Sequence, residues 1–312
     1  MMFDAHVHVF RELRGRVAAG PVTALDYGRV QMGDQTIQML PPLCAAVSFP
    51  PEVLIAHMDW AGVDKAMLLQ GPFYGNQNPL VLDALRRHSD RLVGAAYLDP
   101  WAPDARREFD GIAAAEVFRA VKLEFSEPTG LCGLHPEARL DAPQLAWLWD
   151  ELEGRGLVVV LDLGGVGSRS YQTTAVRAVA EAHPRLPVVI AHLGQIRPAV
   201  VAAPDLLRQW HEQIDLGRLP NVWFDCASLV EYCAEEGYPY PSAGEFLRRA
   251  VDRVGAQRIL WGTDIPGVLG QLNYRQLVDL GIRHSRFLSP SEQALFLYGN
   301  AARLYEQEGE RS

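Results

Sequence analysis

His6 and His8 stand two residues apart in the opening segment MMFDAHVHVF. In an extended strand that spacing puts both side chains on one face. Their Cα atoms would lie about 6.5–7 Å apart, so two imidazoles could converge on one cation. His192 ends the apolar run VVIAHLG, and Asp264 ends LWGTD. A carboxylate beside imidazoles can ligate a metal or take a proton from an attacking water. Alternatively these are polar residues filling an interior, but each inward imidazole would then need a hydrogen-bond partner. Four such groups at the same end of three strands point to a site.

The elements that must hold them are legible as an alternation along the chain. Short apolar runs occur at 2–9, 64–70, 91–98, 118–125, 156–163, 186–193, 221–228 and 258–265. Near-continuous apolar runs of this length suit strands buried on both faces of a parallel sheet. Between them lie segments of helical period at 50–62, 78–90, 103–116, 142–156, 173–184, 205–217 and 242–255, with a closing one at 289–307. DAPQ (141–144) and SPSEQ (289–293) carry the acceptor side chains expected of helix N-caps.

Eight strands alternating with helices allow a doubly wound open sheet or a closed barrel. The first strand lacks a G-x-G-x-x-G turn and no P-loop occurs, which disfavours the nucleotide-binding open sheets. The expected architecture is therefore α/β, a single (β/α)₈ TIM-barrel domain over 1–312. Segment 10–49, rich in Gly, Pro and polar residues, reads as an elaborated first β/α loop over the barrel mouth. A smaller insertion, about 229–241, follows strand seven. In such a barrel His192 and Asp264 would lie at the C-terminal face, where active residues gather.

Composition narrows the function classes. The net charge of −9 across 312 residues argues against nucleic-acid binding, which would call for a basic face. No apolar run is long enough to span a membrane. The four cysteines form no C-x-x-C pair, and the N-terminus shows no leader pattern, so a reducing cytoplasm is the expected setting. A small molecule is the expected partner, and pairing through outer helix surfaces would give a homo-oligomer.

DAHVH in the first strand, VIAHLG in the sixth, ILWGTD in the eighth and the closing YGNAARLY resemble the amidohydrolase superfamily, specifically its amidohydrolase-related branch. The resemblance covers nearly the whole chain. It implies a (β/α)₈ barrel and a lactonase, another hydrolase or a non-oxidative decarboxylase. By that likeness His6 and His8 are metal ligands, Asp264 is a ligand or the acid/base near the reacting water, and His192 hydrogen-bonds the reacting group or polarises it. One departure matters. Many metal-dependent members carry a histidine at the end of strand five, where this chain has Asp162. Asp162 is a substitute ligand or a buried acceptor, and in these features the chain resembles the lactonase-like members, some of which act without metal.

The expected cofactor is a divalent cation, zinc or, given the extra carboxylate, manganese, with a metal-free state as the alternative. Lys122, late on strand four, either binds a substrate carboxylate or pairs with Glu124 or Asp162. Gln70 ends strand two and either donates to a substrate oxygen or caps a loop. Arg169, Tyr171 and Arg197 stand on loops at the correct face, where an arginine can grip a carboxylate with paired donors. His135 is a reserve candidate. The leading expectation is hydrolysis of a small carboxylate-bearing or cyclic substrate, a lactone or an amide. A metal-dependent decarboxylase of an aromatic or dienoic acid is the alternative, and a non-catalytic binding barrel is a third possibility.

Overall fold

The computed structural model describes residues 1–42, 45–127 and 129–306. Eight parallel strands follow one another in chain order around a barrel. They are β1 (Phe3–Val7), β6 (Lys65–Leu68), β7 (Leu92–Tyr97), β8 (Ala120–Glu124), β9 (Val158–Asp162), β10 (Val188–Ile190), β11 (Val222–Asp225) and β12 (Ile259–Leu260). The ring closes between the last strand and the first by a parallel bridge from Val7 to Ile265. Ala5 N donates to the Trp261 carbonyl at 2.9 Å, His8 N to Ile265 at 2.8 Å and Asp264 N to His6 at 2.8 Å. The expected (β/α)₈ barrel is the observed fold, and each strand lies inside the run that announced it.

Alternate strand residues face the barrel interior, and their chemistry changes along its axis. The lower layers are apolar: Phe3, Ala5, Met67, Ala120, Val158, Val160, Val189 and Leu260 form one buried cluster, closed by Tyr305 of the last helix. Two residues beyond Ala120 on the same face stands Lys122, and two beyond Val160 stands Asp162. The interior thus turns from hydrocarbon to ionisable groups at the C-terminal ends of the strands. Outward residues such as Val121, Val159 and Leu161 pack beneath the helices.

The seven anticipated connecting helices form, among them Pro51–Ala61, Thr173–Ala182 and Pro241–Val254. Besides the four-residue helices Leu131–Leu134, Pro198–Val201 and Leu229–Tyr232, one longer helix among the described residues was not anticipated, Tyr274–His284. It begins at an Asn273–Gln276 capping box and buries Tyr274, Leu277, Val278 and Leu280. That spacing and that cap are signals of an amphipathic helix present in the sequence itself. Ser289 and Glu292 make the capping box expected of SPSEQ. Asp141 of DAPQ does not cap; its carboxylate is held by Arg139 at 2.7–2.8 Å. No helix among the described residues is long and apolar enough to cross a membrane.

The 10–49 insertion is more regular than its composition suggested. It carries an antiparallel sheet of β2 (Arg16–Val17), β3 (Gly20–Ala24), β4 (Arg29–Met32) and β5 (Gln35–Gln38). Val17, Val22, Val30 and Met32 are buried, whereas β5 is exposed throughout. The root of the insertion is tied to the loop after β6. Arg14 N donates to the Tyr74 carbonyl and Arg16 N to that of Pro72. Gly15 permits this contact, because a Cβ there would fall 1.9 Å from the Phe73 carbonyl oxygen.

Candidate active site

A bulge in β1 aims the first histidine. Asp4 is opposite Ala66 and Val7 opposite Leu68, so β1 spends one residue more than β6 over the same span. Without that extra residue His6 would share a face with Asp4, which points away from the site toward Thr263 and Tyr274. With it, His6 and His8 both reach Asp264: His8 Nε2 lies 2.9 Å and His6 Nε2 3.8 Å from Asp264 Oδ1. The second Asp264 oxygen accepts the Ser228 hydroxyl.

The far side of each imidazole is fixed. His8 Nδ1 donates to the Leu69 carbonyl at 2.7 Å, and His6 Nδ1 lies 3.0 Å from Asp225 Oδ2. Burial holds both rings below the usual histidine range. Neutral rings that donate from Nδ1 present Nε2 lone pairs inward, so lone pairs of both histidines face a carboxylate oxygen. Burial alone would raise the Asp264 carboxyl, but its contact with His8 and the nearby His192 imidazolium hold it well below the usual range. Lone pairs converging on one point, with Nδ1 tied to outer acceptors, are the donor set of a cation site. His6, His8 and Asp264 therefore fit a divalent metal. Lys122 is the competing cation, its Nζ 3.2 Å from His6 Nε2 and 3.2 Å from Glu124 Oε2.

A second pair sits beside the first. His192 Nε2 lies 3.2 Å from Asp162 Oδ2. Burial would lower the His192 pKa, but the Asp162 charge and hydrogen bond, with Asp264 and Asp225 beyond, push it up to about 10. His192 is thus a buried imidazolium, and its ring lies over that of His6 with centroids 4.5 Å apart. Asp162 is fully engaged: its Oδ1 also accepts from Gly164 N at 2.9 Å and from Gln195 Nε2 at 2.8 Å. The sequence left Asp162 as a substitute metal ligand or a buried acceptor. In this structure its carboxylate is paired with His192, and among the described residues it joins neither cluster of convergent donors, His6–His8–Asp264 or His6–His192–Asp225.

The strand ends themselves are strained where these groups project. His192, Leu193, Gly194 and Gln195 all have left-handed backbone, with φ of 58°, 50°, 67° and 50°. Each non-glycine residue there costs roughly 1–2 kcal/mol. Ser228 and Asp264 share the conformation, at 60° and 73°. Strain concentrated at residues that converge on one point is characteristic of functional sites.

The remaining expected residues divide. Lys122 and Arg197 line the same cavity of about 300 Å³ as His8, Asp162, His192 and Asp264. Gln70 does not: it is fully buried and donates to the Val9 carbonyl at 3.1 Å, so it caps a loop. Arg169 is held off the cavity by Glu127 at 2.5 Å and the Pro136 carbonyl at 2.7 Å. The Tyr171 hydroxyl is buried against the Gly194 carbonyl at 3.3 Å and supports the left-handed turn from behind. His135 pairs with Asp99 at 2.8 Å, away from the cavity.

Sequence reasoning missed Asp225, which orients His6 and also accepts His192 N at 3.0 Å. It missed Ser228 and Glu231, which line the cavity. NVWFDCAS carried a signal for Asp225, an acid closing an apolar run just as in LWGTD.

The family model described as Amidohydrolase matches residues 3–307. The chain is 24% identical to a 4-sulfomuconolactone hydrolase of Hydrogenophaga intermedia, covering 98% of this chain and 88% of that protein. It is 25% identical to an L-fucono-1,5-lactonase of Burkholderia ambifaria, over 97% and 94%. Among solved structures, a Burkholderia multivorans amidohydrolase with bound zinc superposes with a TM-score of 0.71 at 21% identity, covering 98% of this chain and 99% of that one. The chain belongs to the amidohydrolase family and is an amidohydrolase-related enzyme.

Proposed function

We propose that this enzyme hydrolyses a small lactone. The observation that carries the reading is the pairing, in one cavity, of the Asp264 carboxylate faced by two imidazole lone pairs with a buried imidazolium at His192. The lactone hydrolases among its relatives support the choice of ester over amide.

In this mechanism water adds to the lactone carbonyl carbon and one of its protons passes to Asp264. The carbonyl electron pair moves onto oxygen, and the His192 imidazolium, poised by Asp162, stabilises that developing charge. Collapse re-forms the carbonyl and breaks the ring C–O bond. The departing ring oxygen takes the proton from Asp264, and the product is a hydroxy acid. The Ser228 hydroxyl holds the carboxylate in place through the cycle. A divalent cation held by His6, His8 and Asp264, when bound, would supply a Lewis acid that lowers the pKa of water. Lys122 keeps its proton, because Glu124, Asp162 and Asp264 together outweigh the burial that would lower its pKa.

The test is a panel of lactones, amides and aromatic acids, with acid release followed in a pH-stat and carbon dioxide measured in parallel. The reading expects acid from lactones and no carbon dioxide. Carbon dioxide release from a carboxylate substrate, with lactones untouched, would replace it with the decarboxylase.

A further inference from the structure

His8 is held from two directions by one stretch of chain. The Leu69 carbonyl, just past the end of β6, accepts from its Nδ1 at 2.7 Å. Farther along the same loop, the Tyr74 ring lies against its face, with centroids 4.6 Å apart and planes 23° from parallel. The hydrogen bond fixes where the edge of the imidazole points. It leaves the ring free to tilt about that contact, and a flat ring against one face removes the tilt. The bonded edge and the covered face together aim Nε2 at Asp264 Oδ1, 2.9 Å away.

Tyr74 does not stand there unaided. Its ring meets Phe10 at 5.3 Å and Phe73, edge to face, at 5.2 Å. Phe10 opens the 10–49 insertion and is bridged to Phe49 at its close by backbone hydrogen bonds of 2.8 and 2.9 Å. The same insertion straps the loop that carries Tyr74. Arg14 N donates to the Tyr74 carbonyl at 3.3 Å, Arg16 N to that of Pro72 at 3.0 Å, and Gln77 Nε2 to the Glu12 carbonyl at 3.0 Å. Gly15 and Gly75 let the two backbones touch, since a Cβ at Gly75 would fall 2.7 Å from the Arg14 carbonyl oxygen. The Gly15 carbonyl accepts from Val22 N at 2.9 Å, which continues the strap into β3.

We propose that Tyr74 is a positioning residue for His8, and that the insertion shapes the site by holding Tyr74 against that ring. The insertion then acts on the chemistry through a histidine rather than by touching the substrate. Two plainer roles behave differently. Tyr74 also lines the cavity, and a substrate contact there would alter KM alone. A packing role would alter stability alone. Positioning alters how well His6, His8 and Asp264 hold a cation with no substrate present, and it does so whichever bond the enzyme breaks.

The experiment measures zinc affinity of the full-length protein by competition with a chromophoric chelator, for wild type, Tyr74→Phe, Tyr74→Leu and Gly15→Ala. Tyr74→Phe keeps the flat ring and should bind zinc as wild type does. Tyr74→Leu lacks a flat face and should bind about 10-fold more weakly, the scale of loss when the outer support of a ligand is removed. Gly15→Ala touches neither ring and should weaken binding in the same direction, by displacing Phe73 and Tyr74. Circular dichroism establishes that each variant compared is folded. In parallel, NMR of metal-free protein labelled with nitrogen-15 in its histidines reads the His8 ring, assigned by comparison with His8→Gln. A single tautomer protonated on Nδ1 is expected in wild type and Tyr74→Phe, and an averaged, broadened signal in Tyr74→Leu. An unchanged His8 signal in Tyr74→Leu would overturn the proposal whatever zinc does. So would wild-type zinc affinity in Tyr74→Leu, or an equal loss in Tyr74→Phe. A folded Gly15→Ala protein with wild-type affinity would overturn the part given to the insertion.

Discussion

Asp162 Oδ2 lies 3.2 Å from His192 Nε2, a pairing made across the adjacent ends of β9 and β10. The carboxylate keeps the imidazole protonated inside a cavity whose burial would otherwise strip that proton, because a charge pair is stronger where water is excluded. The two residues therefore act as one unit, with the charge on His192 and its cause on Asp162.

That unity is measurable. Asp162→Asn and His192→Ala should each lower kcat roughly 10²-fold with a smaller change in KM, the range seen when an oxyanion-stabilising group is lost. The double variant should be no worse than the poorer single one, since groups that act together are not additive. Circular dichroism would establish that each variant is folded. Losses that multiply in the double variant would show that the two residues act separately.

The lone pairs of His6 and His8 set a second expectation. Metal analysis of untagged protein should find about one zinc or manganese per chain, and His6→Ala/His8→Ala should find none. Chelation should lower the melting temperature and zinc restore it, because a ligand bound only by the native state at 100 times its Kd adds about 2.7 kcal/mol. Equal metal in wild type and double variant would place the ion elsewhere. A folded, metal-free wild type would leave Asp264 to activate water directly.

A third expectation concerns closure of the barrel rather than chemistry. Asp4, turned outward before the β1 bulge, accepts from Thr263 N at 2.9 Å, the Thr263 hydroxyl at 2.5 Å and the Tyr274 hydroxyl at 2.9 Å. It thereby ties the first strand to the segment after the last one and to the helix outside them. Tyr274→Phe should destabilise the protein by about 1–2 kcal/mol, and Asp4→Ala by about 3 kcal/mol, since the latter leaves several buried donors unpaired. Urea denaturation would read both. An Asp4→Ala protein as stable as wild type would show that the ring closes without this clasp.

The repeating order of strands and helices was readable because a strand buried on both faces must be apolar throughout, and each run of that kind became a barrel strand. The Tyr274–His284 helix escaped notice despite its Asn273–Gln276 cap. The small antiparallel sheet escaped because its composition is that of a loop: β5 is exposed throughout. Gln70 and Arg169 illustrate a different limit. Their types and positions suited substrate contacts, but local carbonyls and Glu127 had taken their donors.

What the sequence determined by itself was the set of chemical groups and their strand-end positions. His6, His8, His192 and Asp264 each terminate or cross an apolar run, and parallel strands of a barrel deliver such ends to one face. What only the tertiary structure decided was which of these groups meet. The β1 bulge turns His6 toward Asp264 and Asp4 away from it, and the left-handed turn at 192–195 gives His192 to Asp162. Both depend on local departures from regular backbone geometry. Spacing rules assume that regularity, so they can place a residue at the rim without saying which neighbour it faces.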